Sequence, residues 1–128
     1  DVNVALDIDG QAGQVAKLLG AVFGATAVLN LELVGIGLAE ANKGLSYEQL
    51  GQLAIHATGL TNHDDIVTML WQNLFNTLPT RSEKSPYIHM LDNGELTTGA
   101  LAIIAADSSF NTEHIGLTGL SQTGLSFL

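Results

Sequence analysis

The sequence predicts an all-α fold, a compact bundle of about six helices built from two pseudo-repeats, with short extended or β arms at the termini. Three observations predict it. Apolar residues recur three and four positions apart through most of the chain, which is the spacing of one helix face. Ser, Thr or Asn stands in front of most of these stretches, where a side-chain oxygen satisfies the free N–H groups of a helix start. Two segments, LSYEQLGQLAIHA at 45–57 and LTTGALAIIAADS at 96–108, match in step, Leu45 with Leu96, Ser46 with Thr97, Leu50 with Leu101 and Ala54 with Ala105.

The first helix is expected from Gln11 to Phe23, with Val15, Leu18, Leu19, Val22 and Phe23 on its buried stripe and Gly24 as the stop. Asn30 opens the second, through Leu31, Val34, Ile36, Leu38 and Ala41, until the turn at 42–44. Gly35 and Gly37 weaken that helix by about 1 kcal/mol each relative to Ala, and their smallness permits close packing. Ser46 and Gln49 form a capping box for the third helix, which buries Leu50, Leu53 and Ala54 and closes at Gly59. Asn62 caps the fourth, with Asp64 and Asp65 in the first turn, where negative charge suits the helix dipole. Ile66, Met69, Leu70, Leu74 and Phe75 line its expected buried face, and Trp71 beside them reads as core. The fifth starts at Ser82 or Ser85 and runs to Leu91, with Pro86 in its first turn. Thr97 caps the sixth, which carries Leu101, Ile103, Ile104 and Ala105. Beyond Asn111 the glycines are frequent and no helical stripe is legible.

The expected organisation is therefore one helical domain over 1–128: an N-terminal arm at 1–10, a first repeat at 11–59, a second at 60–111 and a C-terminal tail at 112–128. The upstream helices of the two repeats also match, Leu19 falling against Leu70. Two copies are too few for a solenoid with capped ends, which favours a closed bundle.

Composition narrows the function classes. With 46% hydrophobic and 13% charged residues, the 128-residue chain has ample material for a core. Four Lys and Arg against thirteen Asp and Glu give a net charge of −9, which repels nucleic acid and anionic membranes. Polar residues and glycines break the apolar runs, so no membrane-spanning helix is expected, and no basic n-region precedes an apolar stretch. Without Cys, disulfides, thiolate catalysis and cysteine metal sites are excluded.

Candidate chemistry is sparse. Asp7, Asp9 and Gly10 resemble a fragment of a calcium loop, but the twelfth position from Asp7 is Leu18, which ligates nothing. The expected structure there is a short strand turning Val2, Val4 and Leu6 inward, with a carboxylate at the following helix start. His56, His63, His89 and His114 have no partner at metal-ligand spacing, and His63 with Asp64 and Asp65 points in diverging directions along a helix. No Gly-x-Ser-x-Gly elbow is present, and Asp107 near Ser108 and Ser109 has no matched His in the sequence. Tyr47 and Tyr87, near helix starts, are the aromatic side chains best placed to stack on a sugar. No catalytic, cofactor-binding or metal-ligating residue is nominated, and no cofactor or enzymatic activity is expected. The apolar ending GLSFL has three possible destinations: the core, pairing with the N-terminal arm, or an interface with a second copy or a neighbouring domain.

The residues also carry a resemblance. The succession "LTNHDDIVTMLWQNLFN" and "LDNGELTTGALAIIAADSSFN", with "ALDIDGQAG" before and "GLTGLSQTGLSF" after, resembles the bacterial domain of unknown function numbered 4214, from Asp7 to about Phe127. Each repeat of that family carries Arg-x-Pro-Asp and then Gly-Leu-x-Tyr-Trp. Here the first copy has neither, and the second keeps only Pro79 and Tyr87. Leu29, Leu31 and Ile36 are expected to order the first loop in the motif's place. The resemblance implies a module of exported RTX-type, adhesin or surface-layer proteins, secreted or at the cell surface. Its implied role is structural or interactive, with neighbouring domains or a surface polysaccharide as partners; the alternative is a carbohydrate- or surface-polymer-binding module.

Overall fold

The computed structural model describes residues 3–127, the side chains of Thr118 and Ser121 excepted. Among these residues lie eight α-helices: α1 (Gln11–Phe23), α2 (Leu31–Asn42), α3 (Tyr47–Ala57), α4 (His63–Phe75), α5 (Arg81–Asp92), α6 (Thr98–Asp107), α7 (Ser109–His114) and α8 (Leu117–Thr123). A 3-10 helix at Ala25–Leu29 joins α1 to α2. Strands β1 (Asn3–Ala5) and β2 (Leu125–Phe127) pair antiparallel at the two ends of the chain, Asn3 opposite Phe127 and Ala5 opposite Leu125. The fold is thus an all-α bundle closed by a small terminal ribbon.

The helix starts follow their caps. Asn30 Oδ1 accepts from Leu33 N at 3.0 Å, Asn62 Oδ1 from Asp65 N at 3.2 Å, and Thr97 Oγ1 from Ala100 N at 3.0 Å. Ser46 and Gln49 form the full capping box. At α1 the carboxylate that accepts a helix-start amide, from Gln11 N at 3.2 Å, is that of Asp7, with Gly10 at the cap position itself.

Helix α1 is the centre of the bundle. Nine of its thirteen residues are buried, and α2, α3, α4, α6 and α7 all pack against it. Gly37 on α2 approaches α1 so closely that an added Cβ would stand 2.7 Å from Val15 Cγ1. The most extensive helix contact joins α3 to α6, where Gly51 and Gly99 each face the backbone of the opposite helix; a Cβ on Gly51 would lie 2.8 Å from Gly99 O. Gln52 Oε1 bridges the same crossing, accepting from Gly99 N at 3.1 Å and Thr98 Oγ1 at 2.8 Å. Buried Asn111 locks α7 onto α1, its Nδ2 donating to Lys17 O at 2.9 Å and to Ala106 O at 2.8 Å.

Several expectations need correction. Helix α5 begins at Arg81, because Thr80 and Glu83 form a second capping box; Pro86 then falls in its second turn, where it withholds an N–H from the ladder. The tail is helical: Ser108 ends α6 and caps α7, accepting from Asn111 N at 3.3 Å, and α8 follows from Gly116. These helices are too short for periodicity to reveal. Val4 and Leu6 are exposed, and the residue of the arm that enters the core is Ile8; Val2 lies outside the described residues. The tail's Leu125 is fully buried and Phe127 packs on the core, so the tail both docks and pairs with the N-terminal arm. On α6 the buried face is Gly99, Leu101, Ala102, Ala105 and Ala106, and Ile104 points outward at 56% exposure. Leu29 and Ile36 are exposed as well, so they do not order the first loop by burial.

The helix bounds also set the register between the halves. Helices α1 and α4 have 13 residues each, and α2 and α5 have 12 each. Counted from the first residue of each helix, Leu18 corresponds to Leu70 and Leu19 to Trp71, one position away from the match read in the sequence.

Candidate functional site

The large apolar side chains that the α-helices leave exposed collect in two grooves. Helices α1, α2 and α3 form the first, where Phe23, Ile36 and Leu53 reach solvent over a floor of Val15, Leu18, Leu19 and Leu50. Helices α4, α5, α6 and α7 form the second. There Phe75, Ile104 and Phe110 reach solvent over Val67, Leu70, Leu74 and Leu101.

The two linings correspond position by position. Val15, Leu18, Leu19 and Phe23 occupy the steps of α1 that Val67, Leu70, Trp71 and Phe75 occupy on α4. Leu50, Leu53 and Ala54 on α3 correspond to Leu101, Ile104 and Ala105 on α6, and Gly37 on α2 to Tyr87 on α5. The first groove is narrow, about 100 Å³. The second encloses about 270 Å³ and is aromatic. Trp71, expected in the core, is half-buried on its wall. Its ring lies 4.7 Å from that of Phe75 at 50°, and Phe75 meets Phe110 edge-on at 4.9 Å and 64°. Such tilted contacts suit the ring quadrupoles and hold the side chains in place.

A sequence signal for these grooves existed. On α4, apolar residues stand at Ile66, Val67, Met69, Leu70, Trp71, Leu74 and Phe75, and on α6 at each position from Ala100 to Ala106. Those stripes are wider than one buried face requires, so part of each must meet solvent or a partner.

Several of the polar side chains considered for chemistry are engaged in holding the fold. Asp107 Oδ1 accepts from Lys17 Nζ at 2.8 Å and from Tyr47 Oη at 2.9 Å, and Lys17 Nζ sits 5.4 Å from the Tyr47 ring centroid. This cluster ties α1, α3 and the end of α6 together. Burial pushes the Tyr47 hydroxyl well above the usual tyrosine range, and the Asp107 carboxylate pushes it the same way. Tyr47 is therefore a bonded structural side chain, unlike Tyr87, which lines the aromatic groove. Ser108 is used as a helix cap.

His63 turns away from Asp64 and Asp65; its Nδ1 lies 2.6 Å from Asp92 Oδ1, joining the start of α4 to the end of α5. Asp64 instead accepts from Lys84 Nζ at 2.8 Å, a contact that holds its carboxyl below the usual carboxylate range although desolvation opposes it. Beside these pairs runs an open polar trough of about 710 Å³, walled by Arg81, Ser82, Ser85 and His89 as well as Asp64 and Asp92. His56, His89 and His114 are exposed. Among the described residues no three His, Asp or Glu side chains gather as a metal site would require. Nor, among them, is any helix long and apolar enough to cross a membrane.

No family model, curated protein or solved structure matches the chain.

Proposed function

We propose that this chain is a non-catalytic interaction module of a secreted or cell-surface bacterial protein, working through the apolar groove of α1, α2 and α3. The exposure of Phe23, Ile36 and Leu53 along that groove is the observation that carries the reading. Clustered exposed apolar side chains mark interaction surfaces, whereas scattered ones do not. In a chain with so few charged residues, the matching linings of the two grooves support an internal duplication in which each half carries one apolar groove. The resemblance in the sequence supports the exported setting, and neighbouring domains of a parent protein are the partners it favours.

The test is a paired substitution in the first groove, Ile36→Asp with Leu53→Asp. Both side chains are exposed, so the melting temperature should fall by no more than about 3 °C. Retention on the envelope fraction of the source bacterium, or on adjoining segments of its parent protein, should weaken by about tenfold or more. Retention equal to that of the unsubstituted protein contradicts the reading.

A second reading, binding of a surface polysaccharide, is favoured by the mixed donors and acceptors of the trough between α4 and α5. The trough contains neither tyrosine, so it lacks the aromatic platform that sugar recognition uses. A glycan array on which Arg81→Ala abolishes a signal would favour this reading over the first.

A further inference from the structure

We propose that the aromatic groove of α4, α5, α6 and α7 is a binding site for a small uncharged aromatic molecule bearing one hydrogen-bonding group, of which a phenol is the simplest. Four of the chain's seven Phe, Trp and Tyr residues line it: Trp71, Phe75, Tyr87 and Phe110. Aromatic side chains placed only to fill a core would be covered, yet Phe110 is 50% and Phe75 37% exposed. Ring edges and faces held at fixed tilt offer a further ring the offset and edge-on contacts that aromatic pairs prefer.

Size and charge select the ligand. A closed apolar cavity of about 150 Å³ holds a benzene ring. At about 270 Å³ this groove has room for a substituted ring, whereas the first groove, at about 100 Å³, does not. No charged side chain lines it, although the chain carries a net charge of −9. An anionic ligand would lose its hydration there and gain no countercharge. Two unpartnered polar groups are on offer: among the described residues neither the Tyr87 hydroxyl, which can donate and accept, nor the Trp71 indole N–H, which only donates, has a hydrogen-bond partner, while the hydroxyl of Tyr47 is held by Asp107. Ser108 Oγ, the other hydroxyl on the lining, accepts from Asn111 N as a helix cap and keeps its own O–H to donate. An apolar pocket with a small number of available polar groups is the common form of a small-molecule site.

Trp71 is the only tryptophan, so its indole N–H gives a single, unambiguous NMR resonance inside the groove. Titrating the whole chain with 4-methylphenol, toluene and 4-methylbenzenesulfonate tests the proposal. Saturable shifts of the Trp71 resonance are expected with the two uncharged rings and none with the sulfonate over the same range. Methylphenol should bind about 2- to 10-fold more tightly than toluene through one added hydrogen bond. Tyr87→Phe, whose fold is verified by retained resonance dispersion, should reduce that preference and leave toluene binding intact. Ile104→Lys, at an exposed position, should weaken both uncharged rings. Shifts that stay linear or absent, equal binding of the sulfonate, or an unchanged preference in Tyr87→Phe would overturn the assignment. A tyrosine-containing peptide binding more tightly than methylphenol would overturn it in favour of a protein partner. Because Ile36 and Leu53 lie in the other groove, either result is independent of the outcome of their substitution.

Discussion

Leu70→Ala should destabilise the protein by about 2–5 kcal/mol, the cost of deleting a buried leucine and leaving part of its volume empty. Leu70 is 3% exposed, sits midway along α4 and forms the floor under the aromatic groove. A domain of this size has about 5–15 kcal/mol in total, so the loss is a large share of it. In urea the unfolding midpoint should drop sharply at an unchanged m-value. Phe110→Ala is the control, since its ring is half exposed and should cost much less. A loss below about 1 kcal/mol for Leu70→Ala would mean that α4 does not face the core as described.

The second large effect is expected at the crossing of α3 and α6. Gly99 has no room for a side chain: its Cβ would stand 2.5 Å from Glu48 O and 3.2 Å from Gln52 N. These are backbone atoms, which cannot rotate aside. Ala would gain about 1 kcal/mol in helix propensity and still collide. Gly99→Leu should force the two helices apart, strain or break the bond from Gly99 N to Gln52 Oε1, and cost about 3 kcal/mol or more. Gly94→Leu is a poor comparison because of its positive φ, whereas Gly119 is helical with none of the described atoms near its Cβ position, so Gly119→Leu should cost far less. Equal effects at Gly99 and Gly119 would contradict the close crossing.

Much of the fold was legible because helix starts are written locally. Asn30, Ser46, Asn62 and Thr97 each cap through a bond to a residue three positions on, which a sequence can display. Thr80 and Glu83 carry the same signal as Ser46 and Gln49, but Pro86 drew the expected start of α5 downstream. Helices α7 and α8 were hidden because six and seven residues complete too few turns to show a stripe. The grooves were not legible because a wide apolar stripe does not say which edge of it a neighbour will cover. Phe75 and Leu74 are adjacent on α4, yet Leu74 is buried and Phe75 is at the surface. That difference is decided by where α6 and α7 lie, which is tertiary information. Likewise Asp107 finds Lys17 and Tyr47 across distances of 90 and 60 residues, beyond any local pattern.

The central structural claim is that the two sets of helices share one core: residues of α1, α3, α4 and α6 belong to a single buried cluster, and α1 packs on both α4 and α6. Differential scanning calorimetry of the whole chain tests this most directly. One reversible transition, with calorimetric and van't Hoff enthalpies in a ratio of about 1, is the expected result. Two resolved transitions, or a ratio well above 1, would show two independently folding halves and contradict it.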